Sequence, residues 1–424
     1  MTSDLVIAGP RHALLPQLSL LRRIYLPRSA DAGAFAMTTY GIPLIVLATT
    51  RSATLTGLAF ALEWIPRLAA FSLAGSTVDR HGTKRVFRLA SVLRALVVLA
   101  AAVILPTQAG GLGATITVMT LAALTGVATE FSYIAAETAG AAASKDAGER
   151  AHRVQSALLG IDQTATLAGP AAAGFLLHWV GVTGTLIAIA ACSLVGAALA
   201  PWHRETRLVP AAGSALTGLR TGWQTLASLP ALAWLIAGLT VSSLATGMLQ
   251  AAAPIIIVQH LGYSSAAVGV IWSAAAAASL IAVACCRYAI ERVGLWPAGA
   301  ASAVVAALAG LAVSQVGAYT QFLVLAAVLM AGEGGMTVVL RTLRSHLIPE
   351  RVFGATLSIT ILLMLVPFPL AGVLVALTPA TALGHVLTGC AALQAIGLIA
   401  AFWRLRHEPA MRHSATTDAA PRTP

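Results

Sequence analysis

Residues 74–88 read AGSTVDRHGTKRVFR, and five of these fifteen residues are charged. The whole chain has 424 residues, of which only 10% are charged and 58% are hydrophobic, whereas soluble proteins are about one quarter charged. Apolar runs of roughly 20 residues, the length that crosses a bilayer as a helix, lie on both sides of the stretch. This pattern predicts a short polar loop between two membrane-spanning helices.

Similar apolar runs recur along the chain, so we predict an all-α polytopic membrane protein. Its twelve transmembrane helices are expected to form two pseudo-symmetric six-helix halves. We place the helices at about 30–50, 54–78, 89–108, 112–137, 154–178, 182–202, 230–258, 265–286, 295–315, 320–341, 355–377 and 383–403.

The basic residues indicate the orientation of these helices. Of the 26 Lys and Arg residues, 23 fall on one predicted face, and such a bias marks the cytoplasmic side. Only Arg51 lies in a loop on the other face, while Arg67 and Arg94 lie within spans. We therefore expect both termini in the cytoplasm and the protein in a bacterial plasma (inner) membrane. The net charge of +11 does not indicate nucleic-acid binding, because the basic residues are spread among loops.

The polar segments divide the chain into five parts. Residues 1–29 are predicted to be a cytoplasmic N-terminal segment, and residues 30–202 the first six-helix half. The longest internal connection, 203–229, forms a cytoplasmic linker to the second half, 230–403. The polar, proline-containing tail 404–424 is predicted to be cytoplasmic and disordered.

The two halves share a weak repeat. Asp79-Arg80-x-Gly82 follows the second predicted helix, and Glu291-Arg292-x-Gly294 follows the eighth, 212 residues later. Duplicated halves that face each other across a central path are a transporter architecture.

The charged loop carries a specific family resemblance. The pattern Gly75-x-x-x-Asp79-Arg80-x-Gly82-x-Lys84-Arg85 resembles the signature loop of the major facilitator superfamily, between its second and third helices. More narrowly, residues 48–68, 90–96 and 344–358 resemble the branch that contains siderophore exporters and macrolide-efflux proteins.

The resemblance implies that the loop is an inner gate, which ties the halves together while the transporter faces outward. We expect Gly75 to permit a close helix approach, Asp79 to accept hydrogen bonds at a neighbouring helix N-terminus, and Gly82 to relax the turn. The remaining expected gate residues are basic anchors, a partner within the third helix, and the second copy of the motif: Arg80, Lys84, Arg85, Arg94, Glu291 and Arg292. The alternative is a loop that only anchors the topology.

The fifth helix contains a second motif. Gly169, Pro170 and Gly174 partly resemble the antiporter motif of the superfamily, although Ala165 and Ala173 replace glycines. The resemblance favours export. The alternative is a kinked helix that packs closely against its neighbours, because proline removes a backbone hydrogen bond.

Six ionisable residues within the predicted spans are candidates for proton coupling or substrate binding, because each costs about 2.5–3.5 kcal/mol at a helix centre. Glu63 and Arg67 are four residues apart on one helix face and are predicted to pair. Asp31 is predicted near the membrane interface at the start of its helix, and Glu333 stands beside glycines that permit bending. The six are Asp31, Glu63, Arg67, Glu130, Asp162 and Glu333.

These features favour a secondary transporter that exports a small organic molecule, such as a siderophore or drug, in exchange for protons. Proton-coupled uptake of a small solute and lipid flipping by the same fold are the alternatives. We find no nucleotide-binding or hydrolase motif and expect no enzymatic activity. The four cysteines lie in spans without metal-ligand spacing, so no metal site and no cofactor are expected, and the protein is expected to function as a monomer.

Overall fold

The structure is a computed structural model, and it describes residues 20–108, 110–146, 151–200 and 215–411. Within these ranges all regular structure is helical. The principal helices, which we number in chain order, are α1 (Leu26–Thr50), α2 (Ala53–His81), α3 (Thr83–Ile104), α4 (Gly111–Asp146), α5 (Ala151–Leu199), α6 (Ala215–Ser228), α7 (Pro230–Pro254), α8 (Ser265–Val293), α9 (Leu295–Val313), α10 (Tyr319–Leu347), α11 (Phe353–Leu365), α12 (Pro367–Leu377) and α13 (Leu383–Leu405).

The described residues contain ten helical segments long and apolar enough to cross a membrane, and α2, bent by 50°, adds an eleventh if it crosses as one span. One of the ten lies in α5, whose 49 residues would extend about 74 Å at 1.5 Å per residue. The backbone is non-helical at Gly181, where φ is 75°, so α5 consists of two arms. Counting these arms separately gives twelve crossings, as predicted.

The predicted loop at 74–88 is almost entirely helical, which corrects the sequence-based expectation. The helix α2 continues through Asp79 and Arg80 to His81, and α3 begins at Thr83. Gly82 alone joins them, with φ 86° and ψ 147°, a conformation that only glycine adopts readily. Gly294 joins α8 to α9 with nearly the same angles, φ 95° and ψ 169°. The two repeats therefore share one backbone turn.

Two faces of the bundle follow from this topology. We call the face that carries Gly82 and Gly294 the loop face, and the face that carries Arg51 and Gly181 the opposite face. The predicted tail from residue 404 begins inside α13, which continues to Leu405. The predicted N-terminal segment overlaps the helical turn Leu21–Tyr25 and the start of α1. Residues 1–19 and 412–424 lie outside the described residues.

The helices in residues 20–200 and those in residues 215–411, which we call the first and second halves, contact each other on the opposite face. A methyl group at Gly57 of α2 would collide with the backbone of α12 at Gly372. The side-chain nitrogen of Gln259 donates to the Arg51 carbonyl oxygen at 2.9 Å. Close backbone approach through glycine is common between membrane helices, so the halves are closely packed here.

Candidate functional site

Near the loop face, Arg28 of α1 binds two carboxylates. Its Nε and Nη2 atoms donate to the two oxygens of Asp162, each at 2.8 Å, and Nη2 also bonds Glu137 of α4. Arg28 is only 4% exposed, whereas the Glu137 and Asp162 side chains are 49% and 33% exposed. One buried arginine therefore forms ion pairs with two partly exposed acids. Sequence analysis used Arg28 only as one of the 23 basic residues that indicate the cytoplasmic face.

A second ion pair lies fully inside the first half. Arg94 of α3 donates from Nη2 to Asp31 at 2.7 Å and from Nε to the hydroxyl of Ser193 at 2.9 Å. Ser132 accepts a third bond from Arg94 at 3.3 Å. Asp31 is 2% exposed and Arg94 is fully buried. In this conformation Asp31 is enclosed by protein, and Arg94 contacts Asp31 and two serines instead of residues 79–85. The interfacial position of Asp31 and the gate role of Arg94 remain predictions.

A third arginine, Arg67 of α2, donates from Nε to Glu130 of α4 at 2.6 Å. The predicted pair of Glu63 with Arg67 does not form, since Arg67 is bound to Glu130 and Glu63 Oε2 is buried without a hydrogen-bond partner. The reason is the approach of α4, whose Gly126 lies against the backbone carbonyl of Glu63. This contact places Glu130 one helical turn further along, within reach of Arg67.

Aromatic rings cover the faces of two of these arginines. The Arg67 guanidinium carbon lies 4.7 Å from the Phe35 ring centroid and 4.5 Å from that of Trp64. Arg28 lies 5.2 Å from the ring of Tyr133, which is 5.7 Å from Phe35. Such cation–π contacts strengthen when they are desolvated. Carboxylates at the edge and rings at the face thus contact both guanidinium groups, and the Nη1 atom of each is buried without a hydrogen-bond partner.

The second half has a different polar group. Glu333 of α10 accepts hydrogen bonds on Oε1 from the Ser242 hydroxyl and from the Gln394 amide nitrogen, the latter at 3.2 Å. Gln394 also donates to Ser242 at 2.7 Å. No described cation forms an ion pair with Glu333. Sequence analysis had found the acid but neither of its neutral partners, which come from α7 and α13.

The glycines beside Glu333, which the sequence predicts to permit bending, are packing positions in this conformation. The helix is continuous from Tyr319 to Leu347. A methyl group at Gly334 would collide with Ser279 of α8, and one at Gly332 with Ala306 of α9. Close packing on two sides therefore fixes α10 and directs Glu333 toward α7 and α13.

The fifth-helix motif lies in the contact between the halves. Gly174 of α5 packs against the backbone of α8 at Ser265 and Gly269, and Gly269 in turn packs against Pro170. Gly169 packs on Ala36 of α1. The Ser265 hydroxyl donates to the Gly174 carbonyl oxygen at 3.1 Å. The carbonyl and amide groups around the proline therefore contact the second half directly.

In total, the site groups described above comprise six carboxylates and three arginines: Asp31, Glu63, Glu130, Glu137, Asp162 and Glu333, and Arg28, Arg67 and Arg94. Four of the carboxylates, all but Glu63 and Glu333, form ion pairs with the arginines. The sum of their formal charges is negative, and a proton or another cation can reduce it. Arg344, another buried arginine, lies in the last turn of α10 at the loop face. Among the described residues no three His, Cys, Asp or Glu side chains form a group that could hold a metal ion.

A family model described as Major Facilitator Superfamily matches residues 29–371, which is most of the chain. The chain belongs to the major facilitator superfamily. It is a transporter and not an enzyme. A separate search of curated proteins finds no match.

Solved structures of superfamily transporters share the fold. A bacterial homologue of the iron transporter ferroportin in an inward-facing state is 18% identical, with a TM-score of 0.72 over 93% of this chain and 99% of that chain. The nucleoside transporter NupG is 13% identical, with a TM-score of 0.68 over 89% and 99%. A bacterial homologue of the lysosomal transporter Spinster is 13% identical, with a TM-score of 0.64 over 94% and 98%.

The superfamily signature has few contacts in this conformation. Asp79 is exposed and makes no hydrogen bond or ion pair with any described residue. A methyl group at Gly75 would meet no neighbouring atom, so the predicted close helix approach is absent. Arg80, Arg85, Glu291 and Arg292 are also exposed, and Lys84 is half-buried. The close glycine contacts between the halves, at Gly57, Gly174, Gly269 and Gly372, are on the opposite face.

Proposed function

We propose that this superfamily transporter exports a small organic molecule in exchange for protons. The observation that carries the proposal is that four of the six carboxylates form ion pairs with the three arginines, whereas Glu63 and Glu333 have no ion-pair partner among the described residues. An ionised carboxylate without a partner is costly in the membrane interior. Protonation of either acid removes that cost, and each proton bound or released alters the forces between helices.

Alternating access provides the transport cycle. The halves are packed together on the opposite face, while the signature residue Asp79 on the loop face has no partner among the described residues. These contacts support a state that is open toward the loop face, and the excess of basic residues supports a cytoplasmic location for that face. In the other state, the signature loop would join the halves and the glycine contacts of α5 with α8 would separate.

The direction of transport is proposed from the resemblances in the sequence. Gly169, Pro170 and Gly174 resemble an antiporter motif, and three segments resemble siderophore and macrolide exporters. A siderophore or a drug is therefore the first substrate to test. The solved structures named above include a homologue of an iron transporter and a nucleoside transporter. Their names therefore do not indicate one substrate class.

Everted membrane vesicles provide the test. Respiration acidifies the vesicle interior, and acridine orange reports the pH gradient. A macrolide, a hydroxamate siderophore and ethidium are added in turn to vesicles with the wild-type protein and with Glu63→Gln. We expect at least one compound to dissipate the gradient in the wild type only. Efflux of a preloaded compound together with protons from the acidic vesicle interior would instead show uptake into the cell, and no response to any compound would reject proton exchange.

A further inference from the structure

The three interior arginines of the first half are already bound by groups of the protein. Arg94 is surrounded by Asp31 and two serine hydroxyls. Arg67 has Glu130 at its edge and two rings at its faces. Arg28 holds two carboxylates. The Nη1 atoms of Arg28 and Arg67 are buried without a hydrogen-bond partner, but an anion bound there would share its arginine with carboxylates that already neutralise it.

Glu333, unlike these arginines, has no oppositely charged partner among the described residues. Its Oε1 atom accepts hydrogen bonds from Ser242 and Gln394, both of which are fully buried. Its Oε2 atom accepts no hydrogen bond from any described residue, and the side chain is only half-buried. The Gln394 Oε1 atom, which lies against Gly310 of α9, is buried without a hydrogen-bond partner. The carboxylate is thus held in place by neutral groups, with one oxygen free for a ligand.

We propose that Glu333 binds a positively charged group of the transported molecule, which is therefore an organic cation, with Ser242 and Gln394 as positioning residues. An ammonium group needs one charge-assisted hydrogen bond to a carboxylate oxygen. A hard metal ion needs about six oxygen ligands. Here the Ser242 hydroxyl and the Gln394 amide direct hydrogen atoms toward Glu333, which leaves one carboxylate oxygen for coordination. The site therefore suits an amine or a quaternary cation better than a bare metal ion.

This inference rests on the proposed transport function and names the chemical class of its substrate. Tetraphenylphosphonium and tetraphenylborate test it, because the two ions have nearly the same size and shape but opposite charge. Their binding to the purified full-length protein is measured by equilibrium dialysis in detergent, with protein-free micelles as the blank. We expect the phosphonium ion to bind at least tenfold more tightly than the borate.

Variants locate the binding. Glu333→Gln should weaken phosphonium binding at least tenfold, while Glu333→Asp should retain part of it. Ser242→Ala should weaken binding and Ser242→Thr should restore it, since the hydroxyl holds Oε1. Arg344→Gln is the matched control, because Arg344 is a buried residue of the same helix with no carboxylate partner among the described residues, and it should leave phosphonium binding unchanged.

Three results would overturn the proposal: no phosphonium binding, equal binding of both ions, or borate binding that requires Arg344. The failure of proton exchange would be a separate result. If phosphonium binds through Glu333 but never moves protons in vesicles, the cation site stands and the exchange mechanism is wrong. If a proton gradient drives export of a neutral or anionic compound by Glu333→Gln, the exchange mechanism stands and the cation site is wrong.

Discussion

Replacing Asp31 by Asn removes the only described carboxylate that contacts Arg94. The arginine is fully buried, and the two serines that remain are neutral. Breaking a buried ion pair by removing one partner costs about 3–5 kcal/mol. Asn keeps the size of Asp and one oxygen acceptor, so we expect the lower limit, about 3 kcal/mol, or roughly two orders of magnitude in the unfolding equilibrium.

Replacing Glu130 by its amide, Gln, should lower the free energy of unfolding much less, although the Arg67–Glu130 pair is also buried. Glu63 lies four residues before Arg67 on the same helix, within the spacing that allows side chains to meet. Its Oε2 atom has no hydrogen-bond partner. Arg67 can therefore pair with Glu63 when Glu130→Gln removes its first partner, and we expect a net loss of about 1 kcal/mol.

Unfolding in mixed micelles with increasing fractions of sodium dodecyl sulfate, followed by circular dichroism, measures both free energies. Asp79→Asn is the control, because Asp79 is exposed without a partner among the described residues and its replacement should change stability by less than about 0.5 kcal/mol. Equal losses for Asp31→Asn and Glu130→Gln would refute the idea that Glu63 is a reserve partner. If the idea is right, the double variant Glu63→Gln/Glu130→Gln should lose about 3 kcal/mol or more.

Three further predictions follow from the backbone contacts and from Arg28. Gly82→Ala should destabilise the protein by about 1–2 kcal/mol in the same assay, because its φ of 86° is strained for alanine, whereas Gly75→Ala, a helical position with free space, should be neutral or slightly stabilising. Gly174→Ala should slow transport in vesicles at least several-fold, because a methyl group there would lie 2.5 Å from the Ser265 carbonyl oxygen of α8 and would push the halves apart. Gly160→Ala, a position of α5 with free space, is the control, and equal transport rates for both variants would show that transport does not need this contact. Arg28→Lys should slow transport without abolishing membrane insertion, because lysine cannot reproduce the two parallel hydrogen bonds to Asp162, and vesicle assays normalised to protein amount measure the change.

The sequence predicted the fold well for physical reasons. A bilayer requires apolar runs of about 20 residues, and the distribution of Arg and Lys indicates the loops on one face. The turn at Gly82 was predicted because few other residues tolerate a positive φ. The helix ends were less accurate, since Asp79 and Arg80 remain helical where their charge had suggested a loop.

Pairings between helices were the part that could not be predicted. Glu63 and Arg67 do lie on one face, but their neighbour α4 determines which acid Arg67 binds, and Glu130 is 63 residues away. Arg28 is 109 and 134 residues from its two partners. Such contacts depend on the rotation of each helix about its own axis and on the distance between neighbouring helices. Small residues such as Gly126 control that approach, and a single sequence does not identify their partners.

The two halves share the glycine turn but differ in their interior chemistry. In the first half the five carboxylates described above lie near arginines. A proton that neutralises Glu130, Glu137 or Asp162 leaves the arginine near a second acid, whereas Asp31 is the only described carboxylate in contact with Arg94. In the second half Glu333 has only neutral partners among the described residues, and a ligand there changes the net charge of the site directly. The repeat therefore keeps the turn geometry at Gly82 and Gly294, while the charged groups of the two halves differ. We infer that substrate charge acts mainly on α10 of the second half, while rearrangement of ion pairs acts on α1, α2 and α4 of the first.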